Sequence, residues 1–105
     1  MSLGALGPHS LPRDAVFVEL RPDVLIFQTR ECLLPGTDVR LRLMMEGQPL
    51  PLVTPVTACL VVDKDKGGYL FHIVASLAGV READRQLISL FIGKGRGMPE
   101  LEPGG

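Results

Sequence analysis

Residues 16–45, VFVELRPDVLIFQTRECLLPGTDVRLRLMM, decide the fold of this chain. Two apolar runs rich in β-branched residues lie on either side of a Pro-Asp turn, which is typical of two consecutive strands. Residues 37–43 then alternate polar and apolar side chains with a period of two, as a half-buried strand does. The stretch therefore predicts three strands, the third with Val39, Leu41 and Leu43 facing the core.

The rest of the chain adds further strands and then one helix. Prolines at positions 49, 51 and 55 punctuate an extended segment, which the sequence places at a sheet edge or a strand crossing because proline cannot donate to a ladder. A glycine-containing loop at residues 63–68 then joins two longer strands. Apolar residues at helical spacing predict an amphipathic helix over about residues 80–92, which Gly93 would end.

These elements predict a mainly β fold: a small antiparallel six-stranded β-barrel with one C-terminal α-helix. Neighbouring strands follow one another through short turns, and no strand alternates with a helix, so a twisted antiparallel sheet is expected. We assign the folded domain to residues 13–97. Small residues and prolines predict a flexible N-terminal segment over residues 1–12 and a flexible tail over residues 98–105.

The composition limits the class of function. A chain of 105 residues is expected to form one domain. Its net charge of -1 provides no global field for a polyanion, which disfavours nonspecific binding of nucleic acid. No apolar run approaches the roughly 20 residues of a spanning helix, and the first residues lack the pattern of a signal peptide. We therefore expect no membrane insertion and a cytoplasmic location.

Residues that could carry catalysis or bind a metal are few. Catalysis needs polar groups that converge, and this chain offers His9 near its start, His72 inside a strand and one tyrosine. We interpret His72 as a satisfied or solvent-facing histidine. Cys32 and Cys59 lie 27 positions apart and have no ligand spacing with the histidines. No catalytic residue, metal, cofactor or disulfide framework is expected; Cys59 is interpreted as a small core residue and Cys32 as an exposed thiol.

Two blocks, residues 18–27 and residues 34–43, resemble the PilZ domain family. That family has a strand, a short motif turn, a second strand and a strand of the pattern PGT-x-V-x-L-x-L in this order. The glycine-containing hairpin and the closing helix continue the likeness, which covers about residues 13–92 as a pattern. The resemblance implies a split-barrel fold and a bacterial signalling or regulatory role, with motility or another surface-associated process as its setting.

The motifs by which PilZ domains bind cyclic di-GMP are not preserved. The family's turn motif is Asp/Asn-x-Ser-x-x-Gly, and its positions here hold Glu19, Arg21 and Val24. The family's N-terminal Arg-x-x-x-Arg is absent, because Arg13 is the only arginine before Arg21. The resemblance therefore implies the fold, while these departures argue against the nucleotide. By analogy with members that have lost nucleotide binding, we expect a non-enzymatic module that contacts a protein partner.

Two sets of candidate residues follow. Guanidinium groups on neighbouring outward positions can pair with carboxylates or phosphates of a partner. The partner-surface candidates are Arg21, Asp23, Arg40 and Arg42. One alternative is a residual receptor for cyclic di-GMP, with the ligand bound by Arg13, Glu19, Arg21 and Arg30. A second alternative, a small-barrel nucleic-acid binder, is disfavoured because most aromatic residues lie inside apolar runs.

Overall fold

A computed structural model describes residues 8–95 and 97–104 of the protein. Its elements, in chain order, are β1 (His9–Ser10), β2 (Val16–Arg21), β3 (Val24–Thr29), β4 (Asp38–Met45), β5 (Gln48–Asp65), β6 (Gly68–Ser76), α1 (Glu82–Lys94) and β7 (Glu100–Pro103). The prediction of a mainly β fold with one helix after the long strands is confirmed.

The long strand β5 connects two halves of one seven-stranded sheet. Residues 48–55 of β5 pair with β4, and residues 56–65 pair with β6. On its other side β4 pairs with β1 and β7, while β6 pairs with β3 and β3 with β2. We call the part around β4 the first half-sheet and the part formed by β2, β3, β6 and residues 56–65 the second half-sheet. All pairings are antiparallel except that of β1 with β4.

The two half-sheets share one hydrophobic core. The alternation predicted for β4 is confirmed, since Val39, Leu41 and Leu43 are fully buried and the residues between them are exposed. The second half-sheet buries Leu25 and Phe27 of β3 in the same cluster. Each fully buried side chain of this size contributes roughly 1.5 to 3 kcal/mol relative to exposure. The core thus fixes which face of each strand remains available to solvent.

The helix packs its Ile88 and Phe91 into this core. It spans Glu82–Lys94, two residues later at each end than the predicted 80–92. Gly93 lies inside the helix, and the left-handed position that ends it is Gly95, with a φ of 62°. The N–H of Gly95 donates to the carbonyl of Ile92 at 3.1 Å. Glycine is common at helix ends, so the sequence around Gly93 and Gly95 is typical of one. Only Gly95 has a positive φ, which glycine adopts without steric cost.

The predicted closed six-stranded barrel is wrong, because six of the seven strands form an open path from β1 to β2, and β7 pairs with β4 off this path. Within the described residues β2 pairs with β3 alone, and its other side lies near α1 and β7. At the opposite end β1 and β7 both pair with the free edge of β4. In a closed barrel the two edges of the sheet would pair with each other. Here short strands cover one edge and the helix lies near the other.

Both segments predicted to be flexible contain strand residues. The tail predicted at residues 98–105 includes β7, whose Leu101 packs against the core and whose Glu102 forms a 3.1 Å ion pair with Arg42. In the segment predicted at residues 1–12, β1 is followed by buried Leu11, whose N–H donates to the carbonyl of Arg40 at 3.1 Å. Residues 1–7 lie outside the described part of the chain.

Candidate interaction surface

The outer face of the second half-sheet carries five exposed or half-buried apolar side chains. Along β3, Leu25 and Phe27 enter the core, so the alternate residues Val24 and Ile26 point to the other side. Val74 of β6 lies opposite Ile26 in the register. Leu60 of β5 and Val16 of β2 extend the same face to the outer strands, with 54% and 56% of their surface exposed. We call Val16, Val24, Ile26, Leu60 and Val74 the outer apolar face.

A hydrogen-bonded polar pair lies in the middle of this face. His72 of β6 is opposite Gln28 of β3, and the ring Nε2 is 3.2 Å from the Gln28 Oε1. Because the amide oxygen only accepts, the Nε2 nitrogen is the donor in this bond. This geometry agrees with the interpretation of His72 as a satisfied histidine. The pair adds a side-chain hydrogen bond between the two strands.

The two charged residues at the end of β2 compensate each other. Glu19 lies opposite Ile26 and Arg21 opposite Val24, so both belong to the rim of the outer apolar face. The guanidinium Nε of Arg21 donates to the Glu19 carboxylate. The face therefore combines apolar area with a rim in which positive and negative charges are paired.

The outer face of the first half-sheet has a different character. It presents the charged residues of β4 and the prolines of β5, all exposed. Arg40 and Arg42 point outward as predicted, but Arg42 is paired with Glu102 of β7 at 3.1 Å. Arg40 lies under the end of β7, where a Cβ on Gly104 would be 2.6 Å from the Arg40 Cγ. The two predicted partner-surface arginines are thus part of the contact between β4 and the C-terminal strand.

Arg30, a candidate nucleotide ligand, is held by the tip of the β5–β6 hairpin. Its Nη1 and Nη2 each donate to a carboxylate oxygen of Asp65 at 2.8 Å, and Nη1 also lies 3.3 Å from the carbonyl oxygen of Gly68. The hydrogen bond with Asp65 raises the pKa of Arg30, and the same bond lowers the pKa of Asp65. This bidentate pair positions the hairpin tip and occupies the guanidinium group.

The structure does not bring the candidate nucleotide ligands to one point. Arg21 pairs with the first residue of β3 and Arg30 follows its last residue, a separation of about 20 Å for a strand of this length. Arg13 is exposed in the turn before β2. Glu19 lies on β2 opposite Ile26, so the four candidate ligands lie along one hairpin rather than around one cleft. Asp23, a partner-surface candidate, is exposed in the β2–β3 turn, where its backbone carbonyl accepts the N–H of Leu77 at 2.9 Å.

The two cysteines, distant in sequence, are neighbours in space. The sulfur of Cys32 is 3.8 Å from the sulfur of Cys59. Cys32 is exposed in the connection between β3 and β4, and Cys59 is half-buried on β5. Burial raises the pKa of the Cys59 thiol, the hydrogen bond with Cys32 raises it further, and the backbone of Leu33 lowers it in part. A spacing of 27 positions carried no sign of this contact, because it depends on how the connection folds over β5.

Clefts and ionisable clusters add little to this surface. The cleft between α1 and the β4–β5 turn has a volume of about 220 Å³ and is lined mainly by apolar side chains such as Met45, Leu87 and Leu90. Across residues 8–95 and 97–104, no three His, Cys, Asp or Glu side chains are grouped closely enough to hold a metal ion. The described helix is neither long nor apolar enough to cross a membrane.

Comparison with known proteins identified no relative of this chain. No protein-family model matches the chain, and neither curated proteins nor solved structures gave a match.

Proposed function

We propose that the protein is a non-enzymatic regulatory module of PilZ-like fold that acts through protein–protein contacts, with the outer apolar face as its contact surface. The observation that carries the proposal is the composition of that face. The solvated face of an antiparallel sheet is normally polar. Here the outward positions of β3 and β6 include Val24, Ile26 and Val74 beside the polar Gln28, His72 and Ser76, and removing contiguous apolar surface from water favours association.

The charge balance of the face indicates the chemistry of the partner. Glu19 and Arg21 compensate each other at the rim, and His72 at the centre is hydrogen-bonded to Gln28. A partner that placed an unpaired charge on this surface would lose hydration without gaining an opposite charge. The partner is therefore a protein whose contacting surface is apolar and uncharged, and a polyanion has no reason to bind here.

Loss of cyclic di-GMP binding is part of the proposal. A phosphate ligand requires guanidinium groups that are free to form bidentate hydrogen bonds. Arg21 and Arg30 each bind a carboxylate of this chain instead, Glu19 and Asp65 respectively. Titration calorimetry with cyclic di-GMP at high micromolar concentration should give no heat beyond dilution. A saturable heat that disappears in Arg30→Ala would support the residual receptor instead.

The resemblance to PilZ domains supports a proposal for the cellular compartment and the process in which the module acts. We place the module in the bacterial cytoplasm, in the control of motility or of another surface-associated process. A reducing compartment keeps thiols such as Cys32 and Cys59 free unless an oxidant reaches them.

The contact surface is tested by site-specific photo-crosslinking in the source cells. A photoreactive residue is placed at Leu60, on the outer apolar face, or at Val53, on the outer face of the first half-sheet. These two aliphatic residues are matched controls because they are 54% and 52% exposed on the same strand. Position 60 should give an adduct of discrete mass that position 53 does not give.

Binding by purified proteins then decides the proposal. The cross-linked partner should bind the unmodified chain, and Leu60→Asp should weaken that binding at least about tenfold, since it places a charge in an apolar contact. Val53→Asp should leave the affinity unchanged, and circular dichroism should show that both variants fold. Equal adducts from both positions, or an affinity that Leu60→Asp does not change, would contradict this surface. An adduct with a second copy would identify the partner as the chain itself.

A further inference from the structure

We propose that Cys32 and Cys59 form a dithiol–disulfide pair, a redox-modification site that takes a small-molecule disulfide such as oxidised glutathione as its oxidant. The proposal is independent of the protein-contact function. It rests on the position of the two sulfurs, which lie 3.8 Å apart although the residues are 27 positions apart in the chain. A disulfide bond is about 2.05 Å long, so the two sulfurs must approach by less than 2 Å.

The elements on either side hold the pair in place. Leu33, next to Cys32, is buried in the core with only 3% of its surface exposed, so it anchors the β3–β4 connection above β5. Cys59 is paired with Ile73 of β6, in the short paired stretch between the two register shifts of the β5–β6 ladder. The strand carrying Cys59 is thus fixed, while Cys32 is on an exposed connection that can adjust. This arrangement favours bond formation within one chain over bond formation between chains.

The two thiols have different roles because their exposure differs. Cys32 is exposed and Cys59 is half-buried, so a small oxidant reaches Cys32 first. The Cys32 thiolate attacks one sulfur of oxidised glutathione, whose disulfide bond breaks and releases one glutathione thiolate. The Cys59 thiolate then attacks the Cys32 sulfur and displaces the second glutathione. The two protein thiols together lose two electrons, which reduce one glutathione disulfide to two glutathione molecules. The two protons of the protein thiols pass through solvent to the released glutathione.

Closing this bond links the β3–β4 connection to β5 at a defined place. Cys59 directly precedes Leu60 of the outer apolar face, but it faces the opposite side of β5, where it lies opposite the buried Ile73 and packs against the core, so the bond would fasten the connection on the core side of the strand. A cross-link between distant positions restricts the unfolded chain more than the folded one. The oxidised protein should therefore melt several degrees higher than the reduced protein.

The test is oxidation of the full reduced chain with oxidised glutathione, followed by mass spectrometry. The unmodified chain should lose the mass of two hydrogen atoms and keep no glutathione. Trypsin digestion without reductant should join the peptide of residues 31–40 to the peptide of residues 43–64. The variant Cys59→Ser should instead accumulate a glutathione adduct on Cys32, at about tenfold the level found on the unmodified chain.

Two variants keep the outcome decisive even if one of them folds poorly. Cys32→Ser should react with glutathione much more slowly than Cys59→Ser, because its remaining thiol is half-buried. Reducing agent should restore the original mass and melting temperature of the unmodified chain. A glutathione adduct that persists on the unmodified chain, or disulfide-linked dimers in place of the internal link, would overturn the proposal.

Discussion

Thr54 has a buried hydroxyl that lacks a hydrogen-bond partner within the described residues, and its side chain is fully buried in β5. Leaving such a group unpaired costs roughly 1 to 3 kcal/mol, whereas an isosteric methyl group carries no such cost. We predict that Thr54→Val raises the free energy of unfolding by about 1 kcal/mol. Chemical denaturation should show a higher midpoint with an unchanged slope.

Thr57 provides the matched control for this substitution. It lies three positions along the same strand, and its hydroxyl donates to the carbonyl of Val74 at 3.2 Å. Thr57→Val removes a satisfied group at an exposed position and should bring no gain in stability. If both variants change the midpoint equally, the hydroxyl of Thr54 is not the cause.

Asp14 connects the turn before β2 to the end of β3. Its carboxylate accepts hydrogen bonds from the Thr29 hydroxyl at 2.6 Å and from the Arg30 N–H at 2.8 Å. Partial burial alone would raise the pKa of Asp14, but these hydrogen bonds together outweigh it and leave the pKa below its usual value of 3.8. Because the folded pKa is lowered, the stabilisation is complete above pH 3.8 and is lost as the pH falls through the lower folded value.

We therefore predict that Asp14→Asn destabilises the protein at pH 7 by about 1 kcal/mol, a value discounted for the exposure of the carboxylate. Below the folded pKa of Asp14 the protonated acid and the amide should be nearly equivalent. Urea denaturation of both proteins in a series of buffers from pH 7 into the acid range checks this, because the difference in stability should shrink as the pH falls. A difference in stability that is as large in acid as at neutral pH would show that the carboxylate charge is not involved.

Single residues show where sequence reasoning reaches its limit. Val39, Leu41 and Leu43 could be assigned to the core because alternation is a local property of a strand. The contacts of Arg30 with Asp65 and of Cys32 with Cys59 join positions 35 and 27 residues apart. These contacts depend on which strands become neighbours, and no spacing rule along the chain contains that information.

The proline-bearing half of β5 protects an open sheet edge. The N–H of Val56 donates to the carbonyl of Thr37 at 2.8 Å, so even-numbered residues of this half bond toward β4. The nitrogens of Pro49, Pro51 and Pro55 then face the side on which no described strand pairs. That edge lacks three of the donors that another chain would need to add a strand.

We predict that the double substitution Pro49→Thr and Pro51→Thr increases aggregation without removing a hydrogen bond of the folded protein. Two new N–H groups would appear on the free edge, where β-branched residues favour strand pairing. Light scattering during slow heating should rise at a lower temperature than for the unmodified chain. Val53→Thr, on the same edge, already has its N–H and serves as the control; a similar change in it would point to side-chain polarity instead.

The elements that the sequence missed are those with weak local patterns. Two residues of β1 and four of β7 are too few to show alternation, and the glycines and prolines near them are typical of loops. Both strands exist because the free edge of β4 binds them. Their presence also explains why the predicted barrel does not close, since the edge that would complete it is already paired.

At the scale of the whole molecule, the inner faces of the sheet stabilise the fold, whereas the outer apolar face does not. The inner faces of both half-sheets, together with Ile88 and Phe91 of α1, form the core. Val16 and Leu60 of the outer apolar face keep more than half of their surface exposed, so they gain little from folding. An apolar surface that folding does not require raises the tendency to associate and lowers solubility.

We therefore predict that the double variant Val16→Thr and Leu60→Thr folds with a melting temperature within about 4 °C of the unmodified chain, a shift that corresponds to at most about 1 kcal/mol. Its solubility in ammonium sulfate should increase, because less apolar area is exposed. Val53→Thr, at a similarly exposed position on the other half-sheet, should change solubility less, since it lies among prolines and charged residues. A large fall in melting temperature would instead mean that Val16 and Leu60 stabilise the sheet, and the outer apolar face would then be a structural surface.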